Sequence, residues 1–168
     1  MSGTGRSDQA SRDELMREAR SAWAEARSLL FVCLGNICRS PFAEWLAREH
    51  LDEERGLLSA GTYPVPGRRA PAEAIAAARA FGVDLHAHRS RVLSREMLQQ
   101  ADAVYVFDHA NRRAVASEQP NCSKRVHWLG ALSDDGPLSI SDPFGGPPRE
   151  YELVYRQIAE AIDAAGAA

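Results

Sequence analysis

Cys33 and Arg39 are separated by five residues within Leu29–Leu46, LLFVCLGNICRSPFAEWL. A thiolate is a strong nucleophile, and a guanidinium offers a planar fork that matches two oxygens of a phosphate. The residues between them are Leu34, Gly35, Asn36, Ile37 and Cys38, and Ser40 and Pro41 follow. An apolar run delivers the chain to Cys33, and a helical pattern begins after Ser40-Pro41, where proline lacks only an N–H that has no partner anyway. Gly35 and Asn36 both tolerate positive φ. A short loop closing onto a helix N-terminus turns several backbone N–H groups inward and forms a nest for an anion. A cysteine at the rim of such a nest has its thiolate favoured by the N–H groups, the helix dipole and Arg39. In line with the ester oxygen of a bound phosphate, that thiolate is a nucleophile for phosphoryl transfer. Alone, a cysteine at a strand end is more often a small buried hydrophobe. The full pattern of strand, Cys, five residues, Arg, Ser, Pro and helix favours the chemical reading.

The elements that hold this loop follow from hydrophobic periodicity. Four short apolar runs, at 29–33, 57–60, 102–107 and 125–129, alternate with helical patterns. These are PFAEWLAREHL, PAEAIAAARAF, the stretch around HANRRAVASE, and a last helix near 149–163 with Tyr151, Val154, Tyr155, Ile158 and Ile162 on one face. Short strands separated by helices predict a parallel sheet covered on both sides. Pro- and Gly-rich stretches at 63–71 and 142–148 read as ordered surface loops. Residues 1–27 stand apart as an N-terminal extension, partly disordered and then helical, with Leu15, Ala19, Ala22 and Trp23 at helical spacing. Residues 28–168 form the domain that carries the loop.

Composition narrows the function further. The chain has 168 residues, 45% hydrophobic and 26% charged, which suits one soluble domain with a substantial core. A formal net charge of −3 provides no broad basic field for nucleic acid, so an anionic substrate must be attracted locally. The three cysteines, Cys33, Cys38 and Cys122, form no disulfide framework and read as reduced thiols, with Cys122 incidental. No apolar run approaches the roughly 20 residues that span a membrane, and the opening MSGTGRSDQASRDE lacks the apolar centre of a secretory signal. A cytoplasmic location without membrane insertion is expected. His50, His86, His88, His109 and His127 show no metal-ligand spacing, so neither a metal nor another cofactor is expected.

Cys33 to Pro41 closely resembles the signature of the low-molecular-weight protein tyrosine phosphatases. The resemblance runs from about Ser28 to the last helix. It takes in SAGT at 59–62, His88 and Arg91 in HRSRVLS, Asp108 and Asn111 in FDHAN, and DPFGG at 142–146, and it leaves out residues 1–27. It implies that Cys33 is the nucleophile and Arg39 the phosphate clamp, with residues Leu34 to Ser40 around the phosphate. Asn36 and Ser40, with Ser59 and His88, would hydrogen-bond the loop into shape. A phenolate leaves poorly without a proton, and the resemblance puts the donor at Asp142. By itself Asp142-Pro143 is a turn former. Phe144 resembles the aromatic that flanks the substrate ring, while Gly145 stands where some members carry a second aromatic. Tyr63 either lines the cleft or packs beside Pro64 and Pro66. Cys38 either traps an oxidised Cys33 as a disulfide or simply packs under the nest.

The implied fold is a single three-layer α/β domain with a four-stranded parallel sheet in order 2-1-3-4, helices on both faces and the phosphate loop after the first strand. The implied activity is hydrolysis of phosphotyrosine in proteins, a bacterial tyrosine kinase being one candidate substrate. Three alternatives stand beside it. A protein-arginine phosphatase of this fold carries a smaller Thr at the position of Ile37. An arsenate reductase needs a pair of resolving cysteines, and downstream of the loop this chain has only Cys122. A non-catalytic phosphotyrosine-binding module would need neither the thiolate nor the acid.

Overall fold

Leu29, Leu30, Phe31 and Val32 are all buried, although neighbouring side chains on a strand point to opposite faces. The sheet that holds them is therefore covered on both sides. The computed structural model describes residues 4–167, with side chains from residue 11 onward. In it, β1 (Ser28–Cys33) pairs in parallel with β2 (Gly56–Gly61) and with β3 (Ala103–Val106), and β3 pairs in parallel with β4 (Val126–Trp128). The order is β2-β1-β3-β4, as the resemblance implied. In register, Phe31 lies beside Ser59 and Tyr105, and Cys33 lies beside Gly61. Cys33 is thus the last residue of a central strand, at the carboxyl end where open parallel sheets bind ligands.

The helices are α2 (Arg39–Ala47), α3 (Ala72–Arg79), α4 (Arg95–Gln100), α5 (His109–Glu118) and α6 (Pro148–Gly166), following an N-terminal α1 (Thr4–Glu25). The sequence reading lacked α4. Its signal was legible: Ser94 caps the helix by accepting from the Met97 N–H at 3.2 Å, and Glu96 sits in the first turn. Two short 3₁₀ turns, Pro120–Arg125 and Leu129–Leu132, were also not anticipated. On α6, Tyr151, Val154, Tyr155, Ile158 and Ile162 are buried, as their spacing predicted. The Tyr155 ring stacks on Phe42 of α2 with centroids 4.0 Å apart, which joins the last helix to the one that follows the loop.

Helix α1 begins at Thr4, well upstream of the charge-balanced stretch from Asp13. Whatever part of the expected disorder falls on residues 1–3 lies outside the described residues. The Trp23 ring meets Phe31 and Tyr105 edge-on at 6.2 and 5.6 Å. Tyr105 Oη donates to the Ala19 carbonyl at 2.8 Å, and Arg55 donates to the carbonyls of Trp23 and Ala24, which have no partner within the helix. Among the described residues, no helix is long and apolar enough to cross a membrane, and no three His, Cys, Asp or Glu side chains gather to hold a metal.

Candidate active site

The loop after β1 has its carbonyls held from outside. Thr62 N–H donates to Cys33 O at 3.2 Å and Tyr63 N–H to Leu34 O at 2.8 Å. Arg68 Nη2 donates to Gly35 O at 3.1 Å, His88 Nε2 to Asn36 O at 2.7 Å, and Tyr155 Oη to Cys38 O at 2.7 Å. Because a peptide's N–H and C=O point in opposite directions, carbonyls held outward leave N–H groups for the concave side. Five separate donors thus shape the nest. A Cβ built on Gly61 would come within 2.7 Å of Leu34 O and 2.8 Å of Asn36 N, so only glycine at the end of β2 lets the loop lie this close.

Asn36 is the hub of the loop. It adopts φ 52°, a left-handed conformation that asparagine tolerates, and it is fully buried. Its Nδ2 donates to Ser40 Oγ at 2.8 Å and Ser59 Oγ at 2.9 Å, while its Oδ1 accepts from the Arg91 N–H at 2.9 Å. Since Ser40 Oγ already accepts from Asn36, its own hydrogen is free for Cys33 Sγ, 3.0 Å away. The Asn36 N–H also approaches Sγ, at 3.3 Å. Two donors therefore converge on the Cys33 sulfur. Gly35 does not use the positive φ its type allows. A Cβ there would instead meet Arg68 Nη2 at 2.8 Å and Ile37 Cγ1 at 3.2 Å, so crowding explains this glycine.

Arg39 is 1% exposed, and its guanidinium is divided between protein and cleft. Nη1 donates to Asp108 Oδ2 at 2.7 Å and Ile140 O at 2.9 Å. Nε is buried without a protein partner, and Nη2 has only a long 3.5 Å contact to Asp142 Oδ2. Nε and Nη2 form one edge of the planar fork, and that edge remains for two oxygens of a ligand. The role of Asp108 was missed in the sequence. Its Oδ1 caps α5 by accepting from the Asn111 N–H at 2.8 Å, a legible signal in DHAN, but nothing local announced that Oδ2 would reach Arg39.

Asp142 shares its oxygens in a similar way. Oδ1 accepts from the Phe144 N–H at 3.1 Å, the turn that Asp-Pro suggested, while Oδ2 is the oxygen near Arg39. The turn and a chemical role are therefore compatible. Cys33, Leu34, Gly35, Ile37, Cys38, Tyr63, Arg68, Asp142 and Phe144 line one cleft of about 320 Å³. Tyr63 and Phe144 are exposed at 43% and 60%, leaving two aromatic faces available at the mouth. Burial drives the Cys38 thiol well above its ordinary range, and the nearby Asp142 and Cys33 push the same way. Burial also lowers His88, helped by Arg91 and Arg89 against its bond to Asn36 O, so its ring is neutral at pH 7 with the hydrogen on Nε2.

A thiol with two converging donors, an open guanidinium edge and a carboxylate across one aromatic-rimmed cleft can carry a phosphoryl group through a covalent intermediate. Comparison with known proteins agrees. The family described as low molecular weight phosphotyrosine protein phosphatase matches residues 28–166. The chain is similar to the low molecular weight phosphotyrosine protein phosphatase of Sus scrofa, with 31% identity over 140 residues that cover 78% of this chain and 88% of that protein. It is also similar to the protein-arginine-phosphatase of Bacillus subtilis (strain 168), with 30% identity over 138 residues covering 80% and 91% respectively. Among solved structures, the Erwinia amylovora tyrosine phosphatase amsI superposes with a TM-score of 0.77 at 29% identity, over 83% of this chain and 90% of that one.

Proposed function

The chain belongs to the low molecular weight phosphotyrosine protein phosphatase family, and from that premise we propose that Cys33, Arg39 and Asp142 carry the hydrolysis of phosphotyrosine in proteins. In the first step Cys33 Sγ attacks phosphorus as the bond to the phenol oxygen breaks, and Asp142 gives that oxygen its proton. In the second, Asp142 takes a proton from water, the water oxygen bonds to phosphorus, and the S–P bond breaks to return the thiolate. Arg39 Nε and Nη2, with the inward N–H groups from Leu34 to Ser40, hold the equatorial oxygens in both steps. Ser40 Oγ–H steadies the sulfur as nucleophile and as leaving group.

The observation that carries this assignment is the division of Arg39. Nη1 is spent on Asp108 and Ile140 O, and a buried Nε without a protein partner remains beside Nη2. Asn36, Ser59 and His88 act as positioning residues, since their side-chain bonds converge on the loop and not on the cleft, whereas Ser40 Oγ reaches the Cys33 sulfur itself. Phosphotyrosine fits the cleft because Ile37, Tyr63 and Phe144 offer apolar and aromatic walls, and because a phenol is the leaving group that needs a proton from Asp142. The proposed setting is cytoplasmic, which suits three free cysteines. Residues 1–27 are read as an extension to a domain of residues 28–168. A bacterial tyrosine kinase is a substrate candidate, being a protein that carries phosphotyrosine, and the chain is similar to bacterial tyrosine phosphatases.

The test is turnover of matched phosphotyrosine and phosphoarginine peptides without added metal. The proposal expects kcat/KM to favour phosphotyrosine, and Ile37→Thr to narrow the gap by widening the slot. A preference for phosphoarginine would transfer the assignment to the arginine-directed reading, and absence of turnover with both would leave only a binding module.

A further inference from the structure

Arg68 lines the cleft from the loop after β2, and it is held there before any substrate arrives. Its N–H donates to Ser90 Oγ at 2.9 Å, and its carbonyl accepts from the Ser90 N–H at 2.9 Å. At the far end, Nη2 donates to Gly35 O at 3.1 Å and the guanidinium lies over the Tyr63 ring, 4.3 Å from its centroid. A long side chain fixed at both ends has already lost the rotamer freedom that binding would otherwise cost it.

What Arg68 lacks is a counter-ion. Arg39 has Asp108, Arg20 has Asp134, and Arg48 and Arg91 share Glu44. Among the described residues no carboxylate lies within ion-pair distance of Arg68, and its Nε is buried without a hydrogen-bond partner. A half-buried cation without a counter-ion is stabilised by an anion that comes to it. The transferred phosphate is not that anion by geometry: Arg68 binds the carbonyl of Gly35, and the loop carbonyls face away from the nest. Its charge lies on the outer rim, against the ring of Tyr63 that walls the slot.

We infer that Arg68 forms a carboxylate subsite beside the slot, selecting phosphotyrosines that have Asp or Glu within two residues. This rests on the phosphatase reading and deepens it. In a chain of net charge −3, a cation fixed at the mouth gives the cleft the local attraction for acidic peptides that overall charge withholds.

The experiment measures kcat/KM on three phosphotyrosine peptides, identical except for Asp/Glu, Asn/Gln or Lys/Arg around the phosphotyrosine, and on a small aryl phosphate without flanks. The wild-type protein should favour the acidic over the neutral peptide by roughly two- to tenfold, the scale of one partly screened ion pair, and the ratio should shrink with added salt. Arg68→Ala should bring the ratio to about one, and Arg68→Glu should invert it in favour of the basic peptide. A wild-type ratio of one, or an acidic preference retained in Arg68→Ala, would overturn the inference. So would equal losses on the aryl phosphate and the acidic peptide, which would confine Arg68 to its bond with Gly35 O and the shape of the loop. Failure of the wild type on every phosphotyrosine substrate would instead refute the phosphatase reading itself.

Discussion

Arg39 Nη1 and Asp108 Oδ2 lie 2.7 Å apart, and the other oxygen of the same carboxylate caps α5 through the Asn111 N–H. One side chain therefore fixes both the orientation of the Arg39 guanidinium and the start of the helix after β3. The two jobs separate by substitution. Asp108→Asn keeps an acceptor for the cap but loses the charge that holds Arg39, so kcat/KM should fall while the share of stability that comes from the cap is kept. A charge-assisted hydrogen bond contributes about 1.5–3 kcal/mol, which, if all of it is lost from the transition state, corresponds to roughly 10–150-fold. Asp108→Ala should lose activity similarly and also about 1 kcal/mol of stability with the cap. Full activity in Asp108→Asn would mean that Arg39 needs no such anchor.

His88 donates to Asn36 O from Nε2 at 2.7 Å, and burial lowers its affinity for a second proton. The folded value lies below the unfolded one of about 6.5, so on acidification the unfolded chain takes up the proton first. Stability should be complete above about pH 6.5 and should fall as the pH drops from there through the folded value. His88→Gln keeps a donor for Asn36 O but has nothing to titrate, so it should flatten part of that slope. Burial lowers His127 too, so some slope remains. Urea midpoints measured from pH 7.5 down to about 5 check this, and unchanged slopes in His88→Gln would refute it.

Much of this was legible because it is local. The strand into Cys33, the Pro41 turn and the spacing of Tyr151, Val154, Tyr155, Ile158 and Ile162 are short-range patterns, and the fold follows from them together with the resemblance. Asp142 in its turn was legible in the same way. Contacts made across the fold were not. Asp108 reaches Arg39 over 69 positions, Tyr155 holds Cys38 O over 117, and Arg68 holds Gly35 O over 33. No spacing rule encodes such a meeting, because the sheet order creates it. Gly35 shows a second limit. Its type suggested positive φ, whereas crowding against Ile37 and Arg68 is what excludes a side chain there.

Cys33 and Cys38 line the same cleft, and burial keeps Cys38 protonated at neutral pH. Cys38 is therefore no competing nucleophile at neutral pH, and the part proposed for it is that of a reserve thiol. If peroxide converts Cys33 to a sulfenic acid, Cys38 can lose its proton and form the S–S bond as water leaves. Wild-type protein inactivated by peroxide should recover with a thiol reductant. Cys38→Ser should recover less, because Cys33 then oxidises further. Equal recovery would show that Cys38 only packs under the nest.

In the proposed reaction Cys33 takes the phosphoryl group while Asp142 serves both as acid and as base. Without Asp142, phosphotyrosine cleavage should slow by roughly 10²–10⁴-fold, whereas an aryl phosphate with an already acidic phenol should still phosphorylate the enzyme. Hydrolysis of the intermediate should then lag, so phosphoenzyme should accumulate. The decisive measurement mixes Asp142→Ala with such an aryl phosphate, quenches within the first turnover, and locates the phosphoryl group by peptide mass spectrometry. Close to one phosphoryl group per chain is expected, on Cys33. A quenched enzyme that carries none, or carries it on another residue, would rule out Cys33 as the nucleophile.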